Sequence, residues 1–243
     1  MLQSSDDLCR MSIHATDGEL GHVEEFYFDD ETWTVRYLVI ATGSWLSGRT
    51  VLLSPTVVTG ADWEHRQLEV SLTMDQVRNS PDVSTDRPVS RLQEVEYLRY
   101  YDQPPYWMLG AEVGGSAIAL DAAMRAAAAE AEAAGAEPPT HLRSSREVTG
   151  YHLEASDGAI GHLRSYLIDD DTWRVRYLAV DTGTWWFGKD VLISPRWVSR
   201  VSWGGRCLHV PHSRDAIKDS PAYDPGATIS KEDAATLEDH FRS

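Results

Sequence analysis

Apolar positions along this chain fall in short β-branched and aromatic runs separated by frequent turn signals, and the same pattern is written twice. LGHVEEFYFDD (20–30) carries Val23, Phe26 and Phe28, and TVRYLVIAT (34–42) has the composition of a strand. TVLLSP, VVTGADW and QLEVSL supply further short strands. Pro55 and Pro195 end a ladder, because proline has no N–H to donate. The dipeptides Asp17-Gly18 and Asp157-Gly158 read as tight turns between strand-like runs. DDET and DDDT suit hairpin turns, since Asp and Thr side chains bond to nearby backbone groups. Short helices are expected at 73–79 and 90–101, covering open edges.

An offset of 140 residues lays 17–58 on 157–198 without a gap, and 21 of those 42 positions are identical. The match continues at Trp63 with Trp203, Leu68 with Leu208, Val70 with Val210, and Ser80-Pro81 with Ser220-Pro221. It ends in two helix-like segments, 89–101 and 229–241. A period this long means duplicated domains and not a solenoid of short repeats. The expected organisation is a first repeat over 1–101, a linker over 102–140 and a second repeat over 141–243. The linker opens with the Pro- and Gly-rich DQPPYWMLGAEVGG and continues as the Ala-rich AIALDAAMRAAAAEAEAA (117–134) of high helix propensity, ended by Gly135 and Pro138-Pro139.

The fold class predicted is mainly β: two tandem small barrels of many short strands with short flanking helices. No apolar run is long enough to cross a bilayer as a helix, and MLQSSDDLCR has no secretory character, so a cytoplasmic location is expected. The net charge of −16 argues against nucleic acid as a partner, because that grip needs clustered Lys and Arg. An anionic membrane surface would be repelled likewise. The charge is uneven: residues 1–101 hold 17 acidic and 8 basic side chains, 102–140 hold 6 and 1, and 141–243 hold 15 and 13. Any charged partner should therefore be drawn to the first repeat. Cys9 and Cys207 fit no disulfide framework and read as small apolar strand residues.

Four motifs recur in both copies: DG-x-x-G-H, DD-x-TW-x-VRYL, TG-x-W-x-x-G and VL-[LI]-SP. Together they resemble the PRC-barrel family, which includes the cytoplasmic domain of the photosynthetic reaction centre H subunit and the C-terminal domain of the RimM ribosome-maturation factors. The resemblance covers roughly 10–80 and 150–220, and the tandem arrangement is similar to that of stand-alone bacterial two-barrel members. It implies two PRC-type barrels acting as docking and assembly modules, with no catalytic residues and no cofactor. The expected function is thus a non-catalytic module for protein–protein interaction or self-association. Two alternatives stand beside it: an H-subunit-like accessory, peripheral to a membrane complex and modulating electron or proton transfer, and a small-ligand binder or enzyme using a cleft between the barrels.

The chain holds no GxSxG, HExxH, Walker A or GxGxxG sequence, in line with a protein that is not an enzyme. Asp29-Asp30-Glu31 and Asp169-Asp170-Asp171 read as solvated hairpin turns, with weak cation binding as the alternative. His22 and His162, at equivalent places, are expected to form a structural polar network together with Arg36 and Arg176, whose guanidinium groups would pair with carboxylates or stack on Trp33 and Trp173. His209 and His212 are separated by Pro211 and have no counterpart pair in the first copy, so no metal site is expected there. The loops 42–49 and 182–189 carry the candidate interaction residues Trp45, Leu46, Trp185, Trp186 and Phe187. Loop aromatics are enriched at interfaces; the competing expectation is that these rings fold back over the core.

Overall fold

In the computed structural model, residues 1–81, 89, 91–103, 105–108, 141–183, 190–225, 229 and 237 are described. The linker helix expected at 117–134 and the loop residues Trp185, Trp186 and Phe187 lie outside them, as does most of 229–241. The first repeat contains β1 (Leu2–Ser4), α1 (Ser5–Leu8), β2 (Ser12–Ala15), β3 (Gly18–Asp29), β4 (Thr34–Ala41), β5 (Thr50–Leu53), β6 (Val58–Asp62), β7 (Gln67–Val70), α2 (Met74–Arg78) and α3 (Arg91–Tyr100). The second contains β8 (Leu142–Ser144), a one-turn helix Ser145–Val148, β9 (His152–Ala155), β10 (Gly158–Asp169), β11 (Val175–Asp181), β12 (Asp190–Ile193), β13 (Arg200–Ser202), β14 (Cys207–His209), a helix Arg214–Lys218 and β15 (Ala222–Tyr223). The chain is mainly β and forms two sheets.

The sheets share one topology. The first runs β5-β4-β3-β2-β7-β6 and the second β12-β11-β10-β9-β14-β13, with β15 added beyond β12. In each, a hairpin strand joins β7 or β14 in parallel, and every other pair is antiparallel. The hairpin turn itself is Thr16-Asp17, with Ala15 opposite Gly18, so the Asp-Gly pair expected to form the turn is split between turn and strand. Asp17 Oδ1 instead accepts from the Met74 N–H at 2.8 Å, and Asp157 Oδ1 from the Arg214 N–H at 2.8 Å, fixing the start of the following helix. Gly21 and Gly161 explain the second glycine of the motif. Their φ angles are 138° and 155°, and a Cβ on either would lie 2.0 Å from the carbonyl oxygen of Ala41 or Asp181.

The repeats exchange their first strands. The long β3 pairs with β2 along its first half and with β8 of the other repeat along its second, in the register Tyr27↔Ser144. Reciprocally, β10 pairs with β9 and then with β1, in the register Leu167↔Ser4. The one-turn helix after each exchanged strand is tied down the same way: Ser145 Oγ accepts from the Phe26 N–H and Ser5 Oγ from the Tyr166 N–H, both at 3.1 Å. These paired contacts relate the repeats by a pseudo-twofold axis.

The inner faces of both sheets feed one continuous apolar core, from Leu8, Ile13, Phe26 and Leu38 to Leu153, Tyr166 and Leu178. Near the axis Phe26 meets Tyr166 edge-on, with ring centroids 5.3 Å apart. The Tyr166 hydroxyl donates to the Ser145 carbonyl at 3.1 Å, and burial pushes its ionisation far up. Separate outer clusters form where α3 covers Tyr37, Val39 and Leu52, and where Leu2, Ile229 and Leu237 cover Tyr177, Ala179 and Leu192. Cys9 sits at the end of α1 and not on a strand; burial and the charges of Asp6 and Glu25 push its thiol up to about 11.

Candidate functional site

The DD-x-TW-x-VRYL motif builds the junction between the repeats. Asp29 Oδ1 accepts from the backbone N–H groups of Glu31 and Thr32 at 3.0 and 2.8 Å, and Asp169 Oδ1 from those of Asp171 and Thr172 at 3.2 and 2.9 Å. Burial pushes the Asp169 carboxyl up, but the hydrogen bonds from Thr172 and Asp171 outweigh it and hold the group below the ordinary range. Each turn ends on a tryptophan in the left-handed region, with φ 53° at Trp33 and 56° at Trp173. That conformation is costly for a bulky side chain. Cross-repeat bonds offset the cost: the Trp33 carbonyl accepts from the Val175 N–H and the Trp173 carbonyl from the Val35 N–H, both at 2.8 Å. Each turn is thus locked by the other repeat.

The arginine that follows is the extra residue of a β-bulge. Tyr37 pairs with Tyr27 and Val35 with Phe28, which leaves Arg36 unmatched; Tyr177 and Val175 leave Arg176 so. A bulge turns a side chain out of the alternation of the strand, and both arginines line clefts where one repeat meets the turn of the other.

The larger cleft, about 1080 Å³, has Arg36, Pro55, Val58, Trp63 and Tyr106 on one wall and Asp171 and Trp173 on the other. The Arg36 guanidinium lies 4.0 Å from the Tyr106 ring centroid, with Nη2 3.6 Å from Asp29 Oδ2 and 3.3 Å from Thr32 Oγ1. The Tyr106 hydroxyl donates at 2.8 Å to Glu94, a buried carboxylate of α3 that also accepts from Tyr37 at 3.3 Å. The smaller cleft, about 500 Å³, carries Arg174, Arg176 and Arg196 opposite Asp30 and Glu31. Asp30 is already engaged by Arg143 Nε at 2.8 Å and His141 Nδ1 at 3.2 Å, so this cleft is the more basic of the two.

Trp33, expected to stack on Arg36, stacks instead on Phe28 with centroids 5.3 Å apart, and Tyr106 takes its place over the guanidinium. The reason lies in the bulge, which turns Arg36 toward the cleft while Trp33 packs against the core. His22 and His162 are exposed on their strands, His162 with Nε2 3.6 Å from Asp181 Oδ2. The two histidines therefore stand apart from the arginine clefts. Trp45 and Leu46 are half-buried against the core, and the Trp45 indole N–H donates to the Leu20 carbonyl at 2.6 Å. His212 stacks on Trp197 with ring centroids 4.0 Å apart. Sequence reasoning missed Tyr106, which sits in the Pro-rich stretch assigned to the linker. It also missed the recurrence of Ser4-Ser5 as Ser144-Ser145 at the same offset, which marks the two segments as equivalent though not as exchanged.

Residues 4–73 match the PRC-barrel domain family. The match lies within the first repeat. No curated protein matches the chain, and among the described residues no helix is long and apolar enough to cross a membrane.

Proposed function

We propose that this protein is a non-catalytic binding and assembly module, built of two PRC-type repeats, that holds a polypeptide partner in the larger junction cleft. The observation that carries this reading is the cleft wall. Trp63, Tyr106 and Trp173 present rigid aromatic area, beside Pro55 and Val58, with the Arg36 guanidinium among them. Aromatic and arginine side chains dominate the energetics of protein interfaces. Both repeats supply walls, so the cleft exists only in the assembled pair.

A small-ligand site is the second reading, because the cleft lies between the repeats where such sites concentrate. Its volume and open, mixed lining suit an extended chain segment better. The test is capture of partners by the intact protein from its native cells, repeated with Trp63→Ala and Arg36→Ala. The proposal expects a partner polypeptide that binds the wild-type protein directly when purified, and at least about tenfold more weakly in the variants. Undiminished partner binding by both variants would overturn the cleft as the site. A co-purifying small molecule displaced by the same changes would favour the second reading. A partner belonging to a membrane complex would give the module the accessory role implied by its likeness to the H subunit.

A further inference from the structure

The outer face of the second sheet brings together residues that the sequence holds far apart. β9 and β14 run parallel in the register Cys207↔His152, Leu208↔Leu153 and His209↔Glu154. Leu153 and Leu208 are fully buried. Strand alternation therefore places Glu154, Cys207 and His209 together on the opposite, outward face. There His209 Nδ1 is 3.1 Å from Glu154 Oε2, and Cys207 Sγ is 3.8 Å from the same oxygen. Thiol, imidazole and carboxylate ligand atoms all lie within 4.8 Å of one another.

We propose that Cys207 Sγ, His209 Nδ1 and the Glu154 carboxylate form a binding site for a zinc-type divalent metal ion, with the fourth position open to solvent. The donor set fits the chemistry. Sulfur, nitrogen and oxygen ligands of this kind satisfy a borderline ion with tetrahedral preference, and three protein ligands plus water is a recurrent arrangement. Alkaline-earth ions prefer oxygen-only shells and would not use the thiol. Two ligands two residues apart on one strand and a third on its neighbour give a platform fixed by the ladder, and rigid strands hold such geometry better than loops.

Binding moves protons in a defined way. The Cys207 thiol loses its proton to solvent and becomes the thiolate ligand. In the structure His209 Nδ1 faces the Glu154 carboxylate, to which it donates, so binding must move the ring's one proton to Nε2 and leave the Nδ1 lone pair for the metal. Arg200 Nη2 stands 3.0 Å from that Nε2. A guanidinium only donates, so Arg200 must turn aside when Nε2 holds the proton, and its exposed position on β13 leaves it free to do so.

The first repeat is an internal control. Its β2 and β7 pair in the same way, in the register Ser12↔Gln67 and His14↔Glu69. Those positions offer no thiol, so the site belongs to the second repeat alone.

Cobalt(II) titrated into the reduced, full-length chain tests the proposal, because a cobalt–thiolate bond gives a near-ultraviolet charge-transfer band. One cobalt per chain should bind with that band, and zinc should displace it. Cys207→Ser should abolish the band, Glu154→Gln and His209→Gln should weaken binding by about tenfold or more, and Cys9→Ser should leave it unchanged. Zinc should also raise the unfolding temperature of the wild-type chain but not that of Cys207→Ser. Absence of the band, its survival in Cys207→Ser, or its loss in Cys9→Ser would overturn the site.

Discussion

On the outer face of the first sheet, β2 and β7 present Ser12, His14, Gln67 and Glu69; on the second, the equivalent positions hold His152, Glu154, Cys207 and His209. Between these pairs of strands the buried residues barely differ: Ile13 and Leu68 in one sheet are Leu153 and Leu208 in the other, all fully enclosed. The junction clefts diverge in the same manner. Arg36 and Arg176 occupy the same bulge, yet Thr34 and Thr56 are replaced by Arg174 and Arg196. One cleft is aromatic-walled and the other basic. The duplicated scaffold is held constant by positions that pack or turn, whereas exposed positions in the same register were free to acquire different chemistry. Specialisation of the two repeats therefore lies in outward-facing side chains, not in topology.

The strongest challenge to this comparison is to separate the repeats. Each sheet borrows its edge segment from the other, and the two inner faces share a core. Residues 1–101 or 141–243 expressed alone should give no folded monomer, because the second half of β3 or β10 loses its partner and the core is opened. Expressed together as two chains, they should assemble one to one. Sedimentation velocity with far-ultraviolet circular dichroism reads both outcomes, and a stable monomer of either repeat would refute the exchange.

A smaller perturbation asks whether the scaffold is equivalent in the two repeats. Gly21→Ala and Gly161→Ala each drive a Cβ toward a carbonyl oxygen of the neighbouring strand at a φ that side chains rarely adopt. Each should cost about 3 kcal/mol in denaturant unfolding. A large cost at one site and a negligible cost at the other would break the pseudo-symmetry at that bend.

The smallest effect sharpens the chemical difference. Tyr37 and Tyr177 are equivalent, and burial raises the ionisation of both above the ordinary range near 10. At Tyr37 the charge of Glu94 adds to burial, whereas at Tyr177 Arg176 and Arg196 oppose it. Folded pKa values above unfolded ones contribute stability that is complete below about pH 10 and declines as pH rises toward the folded value. Alkaline ultraviolet titration of Tyr37→Phe and Tyr177→Phe should therefore show Tyr177 ionising first, with Tyr37 ionising only as the chain unfolds. The reverse order would show that the basic cleft does not reach Tyr177.

Much of this protein was legible in its residues. The 140-residue offset, the turn aspartates and the β-branched runs fixed two like sheets, because local turn chemistry and strand alternation depend on nearest neighbours in the chain. The short helices α2 and α3 fall within the segments 73–79 and 90–101 expected to be helical. What only the tertiary structure decided is which strands lie side by side. A segment of three residues such as Leu2–Ser4 carries too little pattern to choose between its own β3 and the other repeat's β10, and the choice rests on Ser5, Tyr166 and the shared core. The same holds for Arg36 under Tyr106 and for Glu154 beside Cys207 and His209. The first contact spans 70 residues and the second more than 50, and neither spacing leaves a mark on the sequence, because ladder register converts distance along the chain into contact only once the sheet has formed.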